Sequence, residues 1–332
     1  MLISVIIPVR NGAHTIARGL KAAFASRGPD FEVIVVDDAS DDDSAAIARR
    51  FPCRVLRLEG HSGAAAARNA GAALARGEAL FFTDADCLMC EDTLERVQQA
   101  LSAAGPGTLV GGTYTPAPGD DTFFSRFQSA FIHYSETKCA ADPDYLATHA
   151  LAIRAGAFRR QRGFAEGSLP ILEDVEFSHR LRRAGFRLVL DPSIQVRHVF
   201  GFNLARSLRN ACVKAMYWTQ YSLRRGDLLA DSGAASHELK ANVAAFAFGA
   251  PCLAAFLLTG VDGWLAAALA VTAGNLFISR GLLRGFRAAG GWRFSFAAAL
   301  YYLLLYPLAV GAGAAGGVVR FLAAAGRRGA TR

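Results

Sequence analysis

Two groups of carboxylates stand where apolar runs of the sequence end. Asp37 and Asp38 close the run 31–36, and Asp84 and Asp86 close the run 79–83. Ligands of open α/β sheets bind outside the carboxyl ends of the strands. Carboxylates at these positions therefore indicate ligand binding rather than a structural role. A divalent cation that bridges a diphosphate would neutralise them. The pattern therefore predicts an enzyme that uses a nucleoside diphosphate.

The elements that would position these carboxylates alternate along the first 200 residues. Short apolar runs predict strands at 1–8, 32–37, 54–58, 79–83, 109–113, 150–153, 187–190 and 193–199. Helical spacing predicts helices at 15–25, 44–50, 63–76, 92–103, 123–135 and 173–184. Such alternation is typical of an α/β fold with a mainly parallel, Rossmann-like, doubly wound sheet.

Apolar residues are distributed unevenly along the chain. They make up 52% of the 332 residues, and the stretch 241–319 holds only five charged residues. The sequence thus predicts a catalytic domain at 1–200, an amphipathic interface helix and linker at 201–240, transmembrane helices at 241–320 and a basic tail at 321–332. The net charge of +8 would face membrane lipids. Because no RNA- or DNA-binding motif accompanies that charge, nucleic acid is not an expected partner.

Three apolar blocks, at 241–260, 264–278 and 294–319, follow the amphipathic pattern at 203–223. That pattern predicts a helix in the membrane interface, or else an ordinary packing helix of the catalytic domain. The arginines between the second and third blocks predict a cytoplasmic loop, and those after the third block conflict with a third outward pass. Two to four passes are expected. Either the third block breaks near Pro307 and 311–317, or the charge rule fails here.

The six cysteines are scattered along the chain. Cys87 and Cys90 form a Cys-x-x-Cys pair, but no second pair completes a zinc site. Buried, reduced thiols of a cytosolic domain are the favoured interpretation. The N-terminal residues lack the basic start of a signal peptide and predict a strand instead.

Five sequence blocks in a fixed order resemble a known family. They are Ser-Val-Ile-Ile-Pro-Val-Arg-Asn at 4–11, Val-Ile-Val-Val-Asp-Asp-Ala-Ser at 33–40, Ala-Arg-Asn-Ala-Gly at 67–71, Phe-Thr-Asp-Ala-Asp-Cys at 82–87 and Glu-Asp-Val-Glu at 173–176. In order and spacing they resemble membrane-anchored family 2 glycosyltransferases of the bacterial type. The resemblance implies a GT-A fold, a UDP- or GDP-linked sugar donor, and inverting transfer.

The resemblance implies a nucleotide site at the strand ends. Asp38 would accept hydrogen bonds from the base or the ribose, Asp84 would face the ribose, and Arg68 would pair with phosphate. Two structural alternatives stay open, namely Asp38 as a helix cap and Arg68 in a plain salt bridge. The full implied set is Pro8, Val9, Arg10, Asn11, Asp38, Arg68, Asp84 and Ala85.

Metal and catalytic roles also follow from the resemblance. Asp86 would bind Mg²⁺ or Mn²⁺, and His198 would contact the metal or the diphosphate unless its role is structural. Asp174 would be the general base that inverting transfer requires, and Glu173 would orient Asp174 or bind the acceptor. The alternative for both acids is stabilisation of the first turn of a helix.

Three residues depart from the family pattern. Arg10 stands where an aromatic residue often packs on the base. His149 replaces a common asparagine, and Arg162 replaces a usual glycine before Gly163. The last two lie on the acceptor side, which indicates an atypical acceptor. The Gln-x-x-Arg-Trp signature of processive synthases is absent from the sequence, which favours transfer of a single sugar.

The leading hypothesis is a multi-pass inner-membrane glycosyltransferase with a cytoplasmic catalytic domain. Its acceptor would be a lipid-linked glycan or a glycolipid in cell-envelope synthesis. A polyprenyl phosphate is the alternative acceptor, although a phosphate hardly needs the general base. The rivals are a non-catalytic sugar-nucleotide sensor and a nucleotidyltransferase. The retained acids argue against the sensor, and the segment 9–13 argues against the nucleotidyltransferase.

Overall fold

The computed structural model describes residues 1–167 and 170–329. It divides into two compact units. Unit 1 comprises Met1–Asp121 and Glu136–Gly201, and unit 2 comprises Thr122–Ser135 and Phe202–Arg332, of which 330–332 lie outside the described residues. The helix predicted at 123–135 therefore groups with the C-terminal part of the chain rather than with the sheet.

The strands of unit 1 form one mixed sheet. Over the described residues it has eight strands in the order β3-β2-β1-β4-β7-β6-β8-β5. The strands are β1 Ile3–Val9, β2 Phe31–Asp37, β3 Arg54–Arg57, β4 Ala79–Phe82, β5 Cys87–Met89, β6 Thr108–Tyr114, β7 Leu151–Arg154 and β8 Arg187–His198. This confirms the predicted α/β fold.

Parallel pairing is confined to part of the sheet. The strands β3, β2, β1 and β4 pair in parallel, as do β6 and β8. The pairs β4–β7, β7–β6 and β8–β5 are antiparallel, which the sequence did not predict. Because β7 enters after a long connection instead of a short helical crossover, it is free to run in the opposite direction.

The segments predicted at 187–190 and 193–199 form the single strand β8. Its register against β6 shifts between Gly111 and Thr113, which pair with Leu190 and Gln195. The shift leaves Pro192 outside the ladder, where its missing N–H costs no hydrogen bond. The sequence showed the irregularity, but the two pieces belong to one strand.

The helices of unit 1 follow the predicted pattern, apart from the short α6. They are α1 Ile16–Phe24, α2 Ser44–Ala48, α3 Ala64–Leu74, α4 Thr93–Ala103, α6 Ala155–Arg160 and α7 Glu173–Arg183, with α5 Phe123–Thr137 crossing the unit boundary. The core beside β4 is aromatic, since Phe82 contacts Phe158 and Phe164 at ring-centroid distances of 5.2 and 5.1 Å. Aromatic pairs at such distances add stabilisation beyond the area they bury.

Unit 2 consists of long helices. Besides most of α5 it holds α8 Leu204–Arg225, α9 His237–Thr259, α10 Asp262–Ile278, α11 Arg280–Leu300, a π-helical turn Tyr301–Leu305 and α12 Tyr306–Gly329. Two stretches of the described chain, His237–Thr259 and Arg280–Ala324, are long and apolar enough to cross a membrane. Length and composition alone support that assignment.

The third apolar block is not broken where the sequence predicted. The helix α12 continues through Pro307 and the glycines at 311–317. The π-helical turn ends at Leu305, two residues before Pro307, and its wider backbone accommodates a ring that would collide with an earlier carbonyl. The glycines serve packing instead, because a Cβ on Gly317 would lie 2.6 Å from the Met216 carbonyl oxygen of α8.

The chain reverses inside α11, at Gly291. This residue has φ +75° and interrupts the helical backbone. Ser295 Oγ donates to the Leu283 carbonyl oxygen at 3.2 Å, whereas a straight helix would place these residues roughly 18 Å apart. The arginines predicted to form a loop therefore lie mainly on a helical arm at 280–290, where Arg280, Arg284 and Arg287 are exposed.

The helix α8 buries one face, as its amphipathic pattern predicted. Ala211 and Trp218 are 4% and 8% exposed. Gln220 is also buried, and its amide donates to the Met216 carbonyl oxygen. The buried face of α8 is thus wider than an interfacial helix would need.

The packing of α3 on the sheet gives a test of the fold. A Cβ at Gly71 would lie 2.6 Å from Ile6 Cγ2 and 3.1 Å from Val36 Cγ2. We expect Gly71→Ala to lower the free energy of unfolding of unit 1 by about 1–3 kcal/mol, because overpacking forces the helix from the sheet. Gly105→Ala is the control, since nothing lies within 4 Å of a Cβ there. Equal unfolding midpoints for the two variants in urea would contradict the packing.

Candidate active site

A cavity of about 470 Å³ opens at the carboxyl ends of β1, β2 and β4. This is the edge at which ligands of α/β sheets bind. The structure brings together around it all of the residues predicted for nucleotide and metal binding. They are Pro8, Val9, Arg10, Asn11, Asp38, Arg68, Asp84, Ala85, Asp86 and His198. Glu173 and Asp174 are not among the residues that line this cavity, but Glu173 reaches it through Arg68.

The end of β1 provides one wall. Pro8 and Val9 close the strand, and the exposed Arg10 follows them. Asn11 has φ +51°, and its Oδ1 accepts the Asp41 backbone N–H at 2.8 Å. Asn11 therefore lies in a turn after β1, and its side chain holds the loop that follows β2.

Asp38 is buried and holds the loop that leads into α3. Its Oδ1 accepts the Ser62 N–H at 2.7 Å, and its Oδ2 accepts the Gly63 N–H at 2.9 Å. His61 Nδ1 lies 2.7 Å from the same Oδ2. Because Gly63 precedes the first residue of α3, Asp38 satisfies free N–H groups at the start of that helix. Each oxygen keeps acceptor capacity for a ligand.

Arg68 joins two carboxylates from distant parts of the sequence. Its Nη2 donates to Asp84 Oδ1 at 2.6 Å, and its Nη1 donates to Glu173 Oε1 at 2.5 Å. The Arg68 side chain is only 4% exposed. Burial opposes its charge, but Asp84 and Glu173 outweigh that effect and raise its pKa, so the guanidinium stays charged.

The carboxyl group of Asp84 is held in its charged form. Desolvation works against ionisation, but the charges of Arg68, His149 and His198 outweigh it and lower the pKa of Asp84. Asp84 therefore presents an ionised carboxylate to the cavity while one of its oxygens binds Arg68. This oxygen-rich site suits hydroxyl donors such as those of a ribose.

Asp86 and His198 meet because β5 pairs with the end of β8. Cys87, the first residue of β5, lies opposite His198 in the antiparallel register. His198 Nε2 is 3.5 Å from Asp86 Oδ1, and ligand atoms of Asp86, Cys87 and His198 all lie within 4.8 Å of one another. Burial, Asp84 and Asp86 raise the pKa of the Cys87 thiol, so it stays protonated and is a poor ligand.

The donor set around Asp86 fits a hard divalent cation. One carboxylate and one imidazole leave most coordination positions to diphosphate oxygens and water, as Mg²⁺ and Mn²⁺ prefer. Stacking on Phe200 at a ring-centroid distance of 3.8 Å fixes the His198 ring. Asp86 and His198 are therefore the residues that would hold the metal.

Glu173 and Asp174 begin α7 and have different surroundings. Glu173 pairs with Arg68, whereas Asp174 accepts backbone N–H groups of Thr148 at 3.3 Å and Val175 at 2.8 Å. Desolvation and the charge of Glu173 raise the pKa of Asp174 from 3.8 to about 6. A carboxyl group with a pKa near neutrality is suited to exchange protons during a reaction.

Asn69, the neighbour of Arg68 on α3, holds the loop at 163–166. Its Oδ1 accepts the Phe164 N–H at 2.9 Å, and its Nδ2 donates to the Phe164 carbonyl oxygen at 2.9 Å. Arg162 and Gly163 have φ +58° and +62°. Glycine, the usual residue of the family pattern at position 162, adopts this left-handed conformation without steric cost. Arg162 occupies the same region although its Cβ makes that conformation less favourable.

His149 lies in a stack of rings beside the carboxylates. Its ring is stacked on Tyr114 at a centroid distance of 3.9 Å, and Tyr114 also meets His198 edge to face at 5.1 Å. His149 Nε2 is 3.5 Å from Glu136 Oε2. The departure from asparagine at this position thus places a second imidazole near Asp84.

Sequence reasoning missed several residues that line the cavity. Gly12, His14 and Thr15 follow the predicted strand end, so their proximity to Arg10 was a usable signal. Ala64 and Ala67 belong to the helix predicted at 63–76, but neither was predicted to line a site. His61 lies in a loop with no recognisable pattern, and only the fold shows its contact with Asp38.

Comparison with known proteins supports the resemblance. The family model for glycosyl transferase family 2 matches residues 4–160. Glycosyltransferase AglE of Haloferax volcanii is 30% identical over 235 residues, which are 67% of this chain and 77% of AglE. Succinoglycan biosynthesis protein ExoO of Rhizobium meliloti is 35% identical over 106 residues, which are 31% of this chain and 30% of ExoO.

A solved structure shares the fold. Mannosyltransferase PcManGT from Pyrobaculum calidifontis, in complex with GDP-Man and Mn²⁺, aligns over 96% of this chain and 86% of its own. The TM-score is 0.59 and the sequence identity is 19%, so this likeness concerns the fold. The family-model match and the extent of the AglE match show that the chain belongs to glycosyltransferase family 2 and is a glycosyltransferase, and the structural likeness shows that its fold is GT-A.

Proposed function

We propose that the protein is an inverting, metal-dependent glycosyltransferase that moves one sugar from a nucleotide-diphosphate sugar to a membrane-associated acceptor. The acceptor is a lipid-linked glycan or a glycolipid, and the catalytic domain works at the cytoplasmic face of the inner membrane. The single observation that carries the proposal is the cavity where Asp38, Asp84, Asp86 and His198 converge at the strand ends.

The donor site follows from the charges around that cavity. A nucleotide diphosphate is anionic, and so are the carboxylates of Asp38, Asp84 and Asp86. Because the two repel each other, a cation must lie between them. When bound at Asp86 and His198, a divalent metal would offset the charge that builds on the leaving diphosphate. The complex of PcManGT with GDP-Man and Mn²⁺ supports this assignment. Asp38 and Asp84 remain to bind the base or ribose.

Asp174 is the residue we assign as general base. In inverting transfer, one carboxylate removes the proton from the acceptor hydroxyl as its oxygen attacks the anomeric carbon. Glu173 is bound to Arg68 through Oε1, whereas the hydrogen-bond partners of Asp174 in the described part of the chain are the backbone N–H groups of Thr148 and Val175. A base held in this way can gain a proton without breaking an ion pair.

Glu173 and Arg68 are assigned as positioning residues. The pair fixes the start of α7 relative to Asp84 through a buried guanidinium. Because Glu173 is anionic and adjacent, it also helps to raise the pKa of Asp174. Arg68 donates one N–H of each Nη group to a carboxylate, and its buried Nε has no partner among the described residues, so donor capacity remains for a phosphate.

The acceptor assignment depends on the apolar helices. Two stretches suited by length and composition to cross a membrane would keep unit 1 beside the bilayer, where lipid-linked substrates are found. The raised pKa of Asp174 favours a hydroxyl acceptor, since a polyprenyl phosphate is already ionised and hardly needs a base. The name of ExoO, a succinoglycan biosynthesis protein, fits a role in glycan assembly.

Replacement of Asp86, the carboxylate that would bind the metal, tests donor binding. For the detergent-purified protein with Mn²⁺ and a matching UDP- or GDP-sugar at 100 times its Kd, we expect a rise in Tm of roughly 5–10 °C. Asp86→Asn should abolish the metal-dependent part, because a required charged ligand is lost. Thermal scans over a panel of donors provide the measurement.

The control for that experiment is Asp30→Asn, which removes an exposed carboxylate of the same unit outside the cavity. It should leave the donor-dependent rise unchanged. If Asp86→Asn retains the full metal-dependent rise, the metal site is elsewhere. If no donor stabilises a well-folded sample, the catalytic proposal itself loses its support.

The pH dependence of transfer tests the general base. Only ionised Asp174 can accept the proton, and its ionised fraction rises with pH through its pKa of about 6. We therefore expect kcat/KM to fall about tenfold per pH unit below pH 6 and to level above about pH 7. Initial rates at several pH values, with the donor and metal concentrations fixed, measure this acidic limb of the pH–rate profile.

Asp174→Asn should remove the limb and lower transfer by about 10²–10⁴-fold, because asparagine cannot accept the proton. It should spare donor-dependent stabilisation, since Asp174 does not line the donor cavity. Asp144→Asn, which removes a carboxylate that pairs with His179, is the matched control in the same unit. Normal transfer by Asp174→Asn would rule out the assignment.

A further inference from the structure

A buried acid–histidine pair, Glu136 and His149, lies in unit 1 outside the lining of the donor cavity. His149 Nε2 is 3.5 Å from Glu136 Oε2, and the two side chains are 6% and 8% exposed. The same Glu136 oxygen accepts the Thr113 hydroxyl at 2.7 Å, which fixes the carboxylate to β6. Because both groups are buried, the attraction between the carboxylate and the imidazole is stronger than it would be in water.

The position of the His149 ring depends on Glu136. In the described part of the chain the Nε2 atom of His149 has no closed hydrogen bond, and its separation from Glu136 is longer than an optimal one. A buried polar nitrogen without a partner destabilises the folded state. The Glu136 carboxylate offsets that cost, so the ring should shift when the carboxylate loses its charge.

The pairing of β7 places His149 beside the site. His149 lies in the 3₁₀ turn Thr148–Ala150, which leads directly into β7. Since β7 runs antiparallel to β4, with Leu151 opposite Phe82, this turn lies at the carboxyl end of β4. That is the end of the strand at which the carboxylates of the donor cavity begin.

The backbone of the turn holds both halves of the site. The His149 carbonyl oxygen accepts the Thr83 hydroxyl at 2.9 Å, and Thr83 directly precedes Asp84. The Thr148 N–H donates to Asp174 Oδ2 at 3.3 Å. One short turn thus contacts the residue next to a nucleotide carboxylate and the carboxyl group assigned as base.

The side chain of His149 extends the constraint toward the metal residues. Its ring stacks on Tyr114 at a centroid distance of 3.9 Å, and Tyr114 meets His198 edge to face at 5.1 Å. Such ring contacts have preferred geometries and therefore restrict how each ring can turn. Residues that orient a metal-binding imidazole commonly change metal affinity by about 10–100-fold when they are replaced.

We propose that Glu136 and His149 form a positioning clamp for the transfer reaction, which holds the turn Thr148–Ala150 against Asp174 and the Tyr114 ring against His198. The inference rests on the proposed function, since it takes Asp174 as the base and His198 as a residue that would hold the metal. It adds two buried positioning residues, and it gives a reason for histidine at position 149, where asparagine is common.

Glu136→Gln tests the clamp through the pH dependence of transfer. Glutamine keeps the shape and an oxygen for Thr113, but it lacks the charge that attracts His149. If the turn loosens, Asp174 loses the Thr148 N–H, which favours its ionised form, and the pKa of Asp174 rises further above about 6. We expect the acidic limb of kcat/KM to move to higher pH by up to about one unit.

The direction of that shift separates positioning from other effects. Loss of a negative charge would by itself lower the pKa of Asp174 and move the limb to lower pH. The charged groups that face Asp174, namely Glu173 and Arg68, are unchanged in the variant. A merely structural defect would lower kcat/KM by the same factor at every pH. Glu32→Gln is the matched control, because Glu32 also accepts a hydroxyl at 2.7 Å, from Ser4, and should leave the limb in place.

Metal affinity gives a readout that needs no transfer. For the detergent-purified chain we expect His149→Ala to raise the Kd for Mn²⁺ about tenfold, measured from the EPR signal of free Mn²⁺. His149→Phe, which keeps a ring on Tyr114 but lacks the nitrogen, should retain the affinity. His179→Ala is the control, because His179 is a buried histidine of the same unit that pairs with Asp144 instead.

Two results would overturn the clamp. They are an acidic limb that stays in place or moves to lower pH in Glu136→Gln, and an equal Kd for Mn²⁺ in the wild type and His149→Ala. If the wild type shows the limb that depends on Asp174 but Glu136→Gln does not move it, the transferase proposal stands and the clamp fails. If the wild type shows no transfer, the proposed function fails, and the Mn²⁺ affinities of the His149 variants still decide the clamp.

Discussion

The buried guanidinium of Arg68 is the constraint on which the site depends. A charge taken out of water needs partners close at hand, and removal of one partner costs several kcal/mol because the charge stays buried. Arg68 obtains them from Asp84 at the end of β4 and Glu173 at the start of α7. The helix α3, the strand β4 and the helix α7 must therefore keep their places together, and Asp174 takes its position from that arrangement.

The strand ends could be predicted from the sequence because hydrophobic runs and the carboxylates after them are local patterns. Asp38, Asp84 and Asp86 were placed in this way, and the cavity lies where they converge. The approach of His198 to Asp86 depends on β5, a strand of three residues that no periodicity can reveal. The contact of Arg68 with Glu173 spans 105 residues of sequence and follows only from the tertiary fold.

The helical unit shows a different limit. Apolar composition predicts helices, but it does not say where a helix reverses or what a glycine is for. The glycines at 311–317 suggested a break, yet they allow α8 and α12 to approach closely, and the reversal occurs at Gly291 among arginines. Pro307 also suggested a break, but the π-helical turn before it accommodates the proline ring and the helix continues.

One short segment of α3 links these arrangements in a way that bears on how the sequence can evolve. Within five residues, Ala67 enters the core, Arg68 joins the two carboxylates, Asn69 holds the loop at 163–166, and Gly71 lets the helix touch β1. Substitutions of Arg68 and Asn69 alter the tolerance for changes at Glu173 and Phe164, about 100 residues away. Drift in this segment is therefore epistatic, because the loss of Arg68 or of either carboxylate partner leaves buried charge that the remaining groups do not compensate.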